Sequence, residues 1–221
     1  CLNPGDKAVI IGEEGNGKST LLKWLYDPKL VEAYAQAQGE RIFAGERLGY
    51  LPQELPEEDR AKTVYEYFDG CPGFWEQTPK ELAALAGQLG LERDFFYGQQ
   101  QMGSLSGGEK VKAQMAALLL ERPTALLLDE PSNDIDIETL QWLEKLILDW
   151  EGPVLFISHD ETLIEAAANM VIHMERIRRK TLCRCSVVHL SYREYVQRRE
   201  ENMDSQKRQA QNERREEKKR R

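Results

Sequence analysis

Nine residues near the start of the chain, Gly12-Glu13-Glu14-Gly15-Asn16-Gly17-Lys18-Ser19-Thr20, have the types and spacing to hold a phosphorylated ligand. The pattern G-x-x-x-x-G-K-S needs a strand behind it and a helix N-terminus ahead, so that backbone N–H groups converge on phosphate oxygens. Both are in place: Ala8-Val9-Ile10-Ile11 reads as a strand, and Leu21-Leu22-Lys23-Trp24-Leu25 as a helix without breakers. Gly12, Gly15 and Gly17 allow a tight turn that aims those N–H groups inward. Lys18 would place a point charge on the β- and γ-phosphates, and the Ser19 hydroxyl would ligate Mg²⁺. A glycine-rich turn before an ordinary helix is the plain alternative, and the strand–loop–helix context weighs against it.

A second constellation lies downstream. Asp129 and Glu130 follow the apolar run Ala125-Leu126-Leu127-Leu128. Side chains alternate along a strand, so adjacent carboxylates at its end can divide two tasks. One holds Mg²⁺, and the other orients and deprotonates an attacking water. His159, at the end of the run Val154-Leu155-Phe156-Ile157, can donate a hydrogen bond to a γ-phosphate. His173 and His189 have no such company and read as structural. The cysteines at 1, 71, 183 and 185 lack metal-site spacing, and Cys183-Arg184-Cys185 reads as alternating strand residues with ordinary reduced thiols.

The elements that position these groups alternate. Arg47-Leu48-Gly49-Tyr50-Leu51 is a short strand stopped by Pro52 and followed by Gln53, whereas residues 29–46 give no regular pattern. Residues 57–104 read as a helical insert, with Thr63 capping a helix through Phe68 and Thr78-Pro79-Lys80-Glu81 opening another to about Leu89. Its aromatics Phe74, Trp75, Phe95, Phe96 and Tyr97 make a small core. Leu105-Ser106-Gly107-Gly108-Glu109 opens a helix whose Val111, Met115, Leu118 and Leu119 keep one face buried. A helix from Glu138 to about Trp150, a strand over 170–174 and a last strand near Val187-Val188 complete the body. The expectation is an α/β phosphate-loop fold with a mostly parallel sheet flanked by helices, a small helical subdomain and a C-terminal charged helix. Residues 1–56 and 105–190 form the nucleotide-binding core, 57–104 the subdomain, and 191–221 the charged segment.

A chain of 221 residues can bury one sizeable core and a satellite. Its apolar runs fall far short of the roughly 20 residues that span a bilayer, and no signal peptide is visible. Opening on Cys1 and a turn, the sequence reads as a fragment. The net charge of −8 is uneven: residues 191–221 carry +4 and the remainder −12, so contact with a polyanion is expected through the tail. After Val196 the tail has almost no apolar residue, and such a helix cannot bury a face in its own domain.

Taken together, Gly12–Thr20, Gln53, Leu105–Glu109, Leu128–Pro131, Asp136 and His159 stand in the order of an ATP-binding cassette ATPase. The chain resembles that family over residues 5–175, and L-S-G-G-E is the most discriminating element. The resemblance implies that Lys18, Ser19 and Asp129 hold ATP·Mg²⁺, within a loop that includes Gly12, Gly15, Asn16, Gly17 and Thr20. It makes Gln53 a contact to metal and water, Glu130 the general base and His159 the γ-phosphate ligand. Ser106, Gly107 and Gly108, with Asp136 of the D-loop, would close on ATP held by a second cassette. Asp134 departs from the commoner D-loop wording, and the family's adenine-stacking aromatic would lie ahead of this chain's start. The tail from Ser191 is similar to the interdomain linker of the F subfamily, whose antibiotic-resistance, ribosome-protection members reach rRNA and tRNA near the peptidyl-transferase centre. That likeness implies a cytoplasmic protein of translation, without membrane insertion, represented by a first cassette and the beginning of its linker. The nucleotide-binding subunit of a membrane transporter is the alternative, and a cassette acting on DNA ranks last.

Overall fold

The computed structural model describes residues 1–37, 39–43, 45–177 and 182–201. A six-stranded sheet of order β2-β3-β4-β1-β5-β6 carries the fold. Its strands are β1 (Lys7–Gly12), β2 (Leu48–Leu51), β3 (Ala125–Asp129), β4 (Val154–Ile157), β5 (Met170–Ile177) and β6 (Leu182–Val188). All neighbours pair in parallel except β5 and β6, which pair antiparallel. The strand expected near Val187 is therefore the end of a longer hairpin partner.

Strand alternation sorts the apolar side chains between two layers. Val9, Leu126, Leu128, Val154 and Phe156 face one layer, where they meet α5 (Gly107–Leu120), α6 (Ile137–Asp149) and α7 (Glu161–Ala167). Ala8, Ile10, Leu127, Leu155 and Ile157 face the other, where Leu22 of α1 (Lys18–Tyr26) covers them. Strands buried on both faces are what the continuous apolar runs require.

A third cluster belongs to the helical insert, built from α2 (Glu57–Arg60), α3 (Val64–Asp69) and α4 (Pro79–Gln88). Phe68, Phe74 and Phe96 are buried in it, with the Phe68 and Phe96 rings edge-on at 4.7 Å. Trp75 and Tyr97, by contrast, are 64% and 44% exposed, so these two expected core residues lie at its surface. Ala113, Ala116 and Leu120 of α5 also belong to this cluster, while Met115 and Leu118 face the sheet. Three helices of the body begin with the same reciprocal cap. Thr63 with Glu66, Thr78 with Glu81, and Ser106 with Glu109 each satisfy one another's backbone donors. Helix ends are served by basic side chains: Arg41 donates to the carbonyls of Trp24, Leu25 and Tyr26 in the last turn of α1, and Arg47 to that of Arg122 after α5. Lys7, buried on β1, donates to the carbonyls of Trp150 and Gly152 after α6.

The tail corrects one expectation. Residues 192–201 form a helix, α8, capped by the Ser191–Glu194 pair, and its first two turns do reach the body. Tyr192 and Tyr195 pack against the main core, and Arg199 pairs with Glu175 at 2.9 Å. Two tyrosines suffice to dock a short stretch of an otherwise polar helix. The rest of the charged segment, residues 202–221, and the Cys183 side chain of the C-x-C pair lie outside the described residues.

Candidate functional site

β1 ends at Gly12, where φ is +154° and an added Cβ would stand 2.4 Å from the Met174 carbonyl oxygen. Only glycine allows β5 so close. Gly15 and Gly17 follow at φ +72° and +85°, and Gly17 is the residue before α1. Having no side chain, it leaves the first N–H groups of α1 to whatever the loop encloses. Asn16 is buried; its amide donates to the Met174 carbonyl at 2.8 Å, while its Oδ1 has no hydrogen-bond partner. The Lys18 ammonium is buried too and curls back to the loop carbonyls of Gly12 (2.9 Å) and Glu13 (3.2 Å).

Across the loop stands the end of β3. Asp129 Oδ1 accepts from the Ser19 hydroxyl at 2.9 Å, and Oδ2 from the Tyr50 hydroxyl at 3.3 Å. Burial lifts the Asp129 carboxyl above its ordinary range, against the pull of those hydrogen bonds and of Lys23 and Lys18. Glu130 follows with φ +50°, a left-handed backbone that costs a non-glycine residue of the order of 1–3 kcal/mol. Its carboxylate is clamped by one residue: Oε1 is 3.1 Å from His159 Nε2, and Oε2 accepts the His159 backbone N–H at 3.2 Å. Burial lifts its carboxyl as well, and His159 and Lys18 oppose the rise.

Lys18, Ser19, Thr20, Gln53, Glu130 and His159 line one cavity of about 540 Å³, together with Glu14 and Asn133. A hydroxyl and a carboxylate held 2.9 Å apart are hard oxygen donors of the kind Mg²⁺ takes, and the Lys18 ammonium with the N–H groups at the start of α1 suits phosphate. The donor set therefore fits a magnesium nucleotide.

Ser106, Gly107, Gly108 and Asp136 do not line that cavity. Ser106 caps α5, and its two glycines press against the loop before α6. A Cβ on Gly107 would fall 1.8 Å from the Asp134 carbonyl oxygen, and one on Gly108 would fall 2.5 Å from Thr139 Oγ1. Asp136 caps α6 through Thr139, whose N–H donates at 2.8 Å, and that bond holds its carboxyl below the usual range. A second cavity of about 440 Å³, lined in part by Gly107 and Asp134, shares Gln53 and Asn133 with the first.

Four residues escaped the sequence reading as contributors to the site. Tyr50 reaches Asp129 because β2 lies beside β3, an order that a single sequence does not display. Asn133 lines both cavities. Ser132 and Ser158 share a hydroxyl–hydroxyl bond of 2.9 Å that ties the loop after β3 to the end of β4. Ser158-His159-Asp160 held a local signal, since Asp160 caps α7.

The profile of a family described as "ABC transporter" matches residues 1–133. The chain is 36% identical over 171 residues to the ATP-binding protein Uup of Escherichia coli, covering 73% of this chain and 25% of that protein. It is 34% identical over 174 residues to the ATP-binding protein YdiF of Bacillus subtilis (78% and 26%). To the energy-dependent translational throttle protein EttA of E. coli it is 29% identical over 210 residues (78% and 37%). It thus spans about a quarter of the length of the first two relatives. Among solved structures, the model of ribosome-bound archaeal Pelota and ABCE1 aligns with a TM-score of 0.59 at 25% identity, over 79% of this chain and 28% of that one. A nucleotide-free ATP-binding cassette from an ABC transporter aligns at 0.60 and 20% identity, over 80% and 81%, which speaks for the fold alone.

Proposed function

The chain belongs to the ABC transporter family of ATP-binding cassettes, and from that premise we propose that it binds and hydrolyses ATP, with a second cassette, in the service of the ribosome. Bound ATP·Mg²⁺ would supply the electrophilic phosphorus and the cation that neutralises its oxygens. Lys18 and the first N–H groups of α1 would hold the phosphates, and Ser19, Asp129 and Gln53 the metal. Glu130 accepts the proton of the attacking water; a carboxyl lifted by burial is the better base for it.

One observation carries the two-cassette part. The signature residues Ser106–Gly108 sit outside the cavity that contains Lys18, so this chain presents a phosphate loop and a signature that do not meet each other. A second copy of the arrangement, facing the first, completes both. The bond from His159 Nε2 to Glu130 is a resting one: the ring must leave the carboxylate before it can donate to a γ-phosphate. Closure of the second cassette is the event that separates them.

The ribosome part is supported by the likeness to the translational throttle protein EttA and to the ribosome-bound Pelota–ABCE1 assembly, and by the positive tail on a negative body. Residues 191–221 then act as a linker gaining affinity from rRNA phosphates and meeting tRNA. No helix among the described residues is long and apolar enough to cross a membrane. The test is sedimentation of the full chain carrying Glu130→Gln with ribosomes. Co-sedimentation that requires ATP is expected; recovery only in the free fraction, or with a membrane permease, overturns the ribosome reading.

A further inference from the structure

The strand β5 is gripped from both sides of one residue. On the sheet's inner edge, the Met174 carbonyl accepts the Asn16 amide at 2.8 Å and faces Gly12, with which Met174 is in register. The neighbours of Met174 serve a different partner. His173 and Glu175 are two apart on a strand and so share a face, and both are held by α8. Arg199 donates to Glu175 Oε1 at 2.9 Å and stands 3.4 Å from His173 Nε2. His173 Nδ1 closes the triangle on Glu175 at 3.2 Å, and the Tyr195 ring meets the imidazole edge-on at 5.9 Å. One arrangement of protons satisfies all three: a neutral imidazole donates from Nδ1 to Glu175 and accepts at Nε2 from Arg199. Burial and the Arg199 charge both push the His173 imidazole toward that neutral form.

We propose that Arg199 is a positioning residue for the phosphate loop, holding through Glu175 and His173 the strand carbonyl on which Asn16 hangs, so that displacement of α8 changes nucleotide affinity. The path is short and made of stiff parts. Asn16 lies between Gly15 and Gly17, whose positive φ values leave the loop without much rigidity of its own. The Asn16 side chain is fixed at Met174, while the Lys18 bonds to the Gly12 and Glu13 carbonyls brace the loop beside it. Arg199, at the far side of the same three residues, is the charged contact that α8 makes with β5; Arg193 pairs with Glu165 of α7 at 3.4 Å. The ion pair is half-exposed, with side-chain exposures of 47% and 40%, so its leverage is limited to about a fivefold factor in an equilibrium constant. By reciprocity, nucleotide binding biases α8 by the same factor.

This inference rests on the cassette reading, and one titration separates the two. A fluorescent ATP analogue is titrated into the full chain and its Arg199→Ala, Arg199→Lys, Asn16→Ala and doubly substituted Asn16→Ala/Arg199→Ala variants, with thermal melts alongside. Arg199→Ala is expected to weaken binding about two- to fivefold without a matching loss of global stability, and Arg199→Lys to recover most of it. In the Asn16→Ala background the Arg199→Ala effect should vanish, because the connection is already cut. Affinity unchanged in Arg199→Ala, or effects that simply add in the double variant, would overturn the proposal while leaving the cassette reading intact. A parent chain that binds no nucleotide overturns both.

Discussion

Glu130 concentrates the residue-scale consequences. It is buried, left-handed in backbone and clamped twice by His159, and each feature bears on a measurable quantity. Glu130→Gln preserves shape and should keep ATP binding while lowering turnover by roughly 10²-fold or more, the size of a lost general base; phosphate release under saturating ATP checks it. The same substitution has a pH signature. Because burial raises this carboxyl, the folded state holds its proton more tightly than the unfolded chain does. Stability is therefore lost as pH rises from the ordinary value of 4.5 through the folded value, and stays lost above it. Glu130→Gln removes that cost. Its melting temperature should exceed the parent's at pH 7, with the gap shrinking as the pH falls through the folded value and gone below 4.5. A gap independent of pH would mean that the carboxylate carries no folding cost.

At the scale of elements, what could be read from sequence was local and what could not was lateral. Thr63, Thr78 and Ser106 announce their helices through a partner three residues on, and the structure shows all three caps closed. The strand starts at Ala125 and Val154 were equally plain, because a run buried on both faces has little other use. Tyr50 and Asn133 were invisible since their place depends on strand order and on a loop path. The docking of Tyr192 and Tyr195 was missed because the polarity of the stretch after Val196 was extended to the whole helix, and these two precede it. The signature shows that a motif can serve two masters: its glycines are fitted to Asp134 and Thr139 within the chain. Gly107→Ala would drive a methyl into the Asp134 carbonyl, a backbone clash that cannot relax by rotating a side chain. A loss of about 1–3 kcal/mol is expected in chemical denaturation, before any effect on ATP is considered. Stability within error of the parent would show that the loop before α6 yields freely.

For the whole molecule, charge separation and shared packing matter most. A body at −12 is repelled by nucleic acid, so a tail at +4 must carry any attachment to rRNA. If four phosphates are engaged, raising salt from about 50 to about 200 mM should weaken ribosome association on the order of 10²-fold, which sedimentation at the two salts measures; salt-independent binding would point to a contact made elsewhere. The packing consequence comes from α5, one side of which belongs to the sheet while the other completes the aromatic cluster of the insert. Excising the insert would leave Ala113, Ala116 and Leu120 wet, and unravelling the sheet would take away a wall of the smaller cluster. There is no seam along which a protease could part the two and leave both whole. Heat should melt them as a single event in the calorimeter.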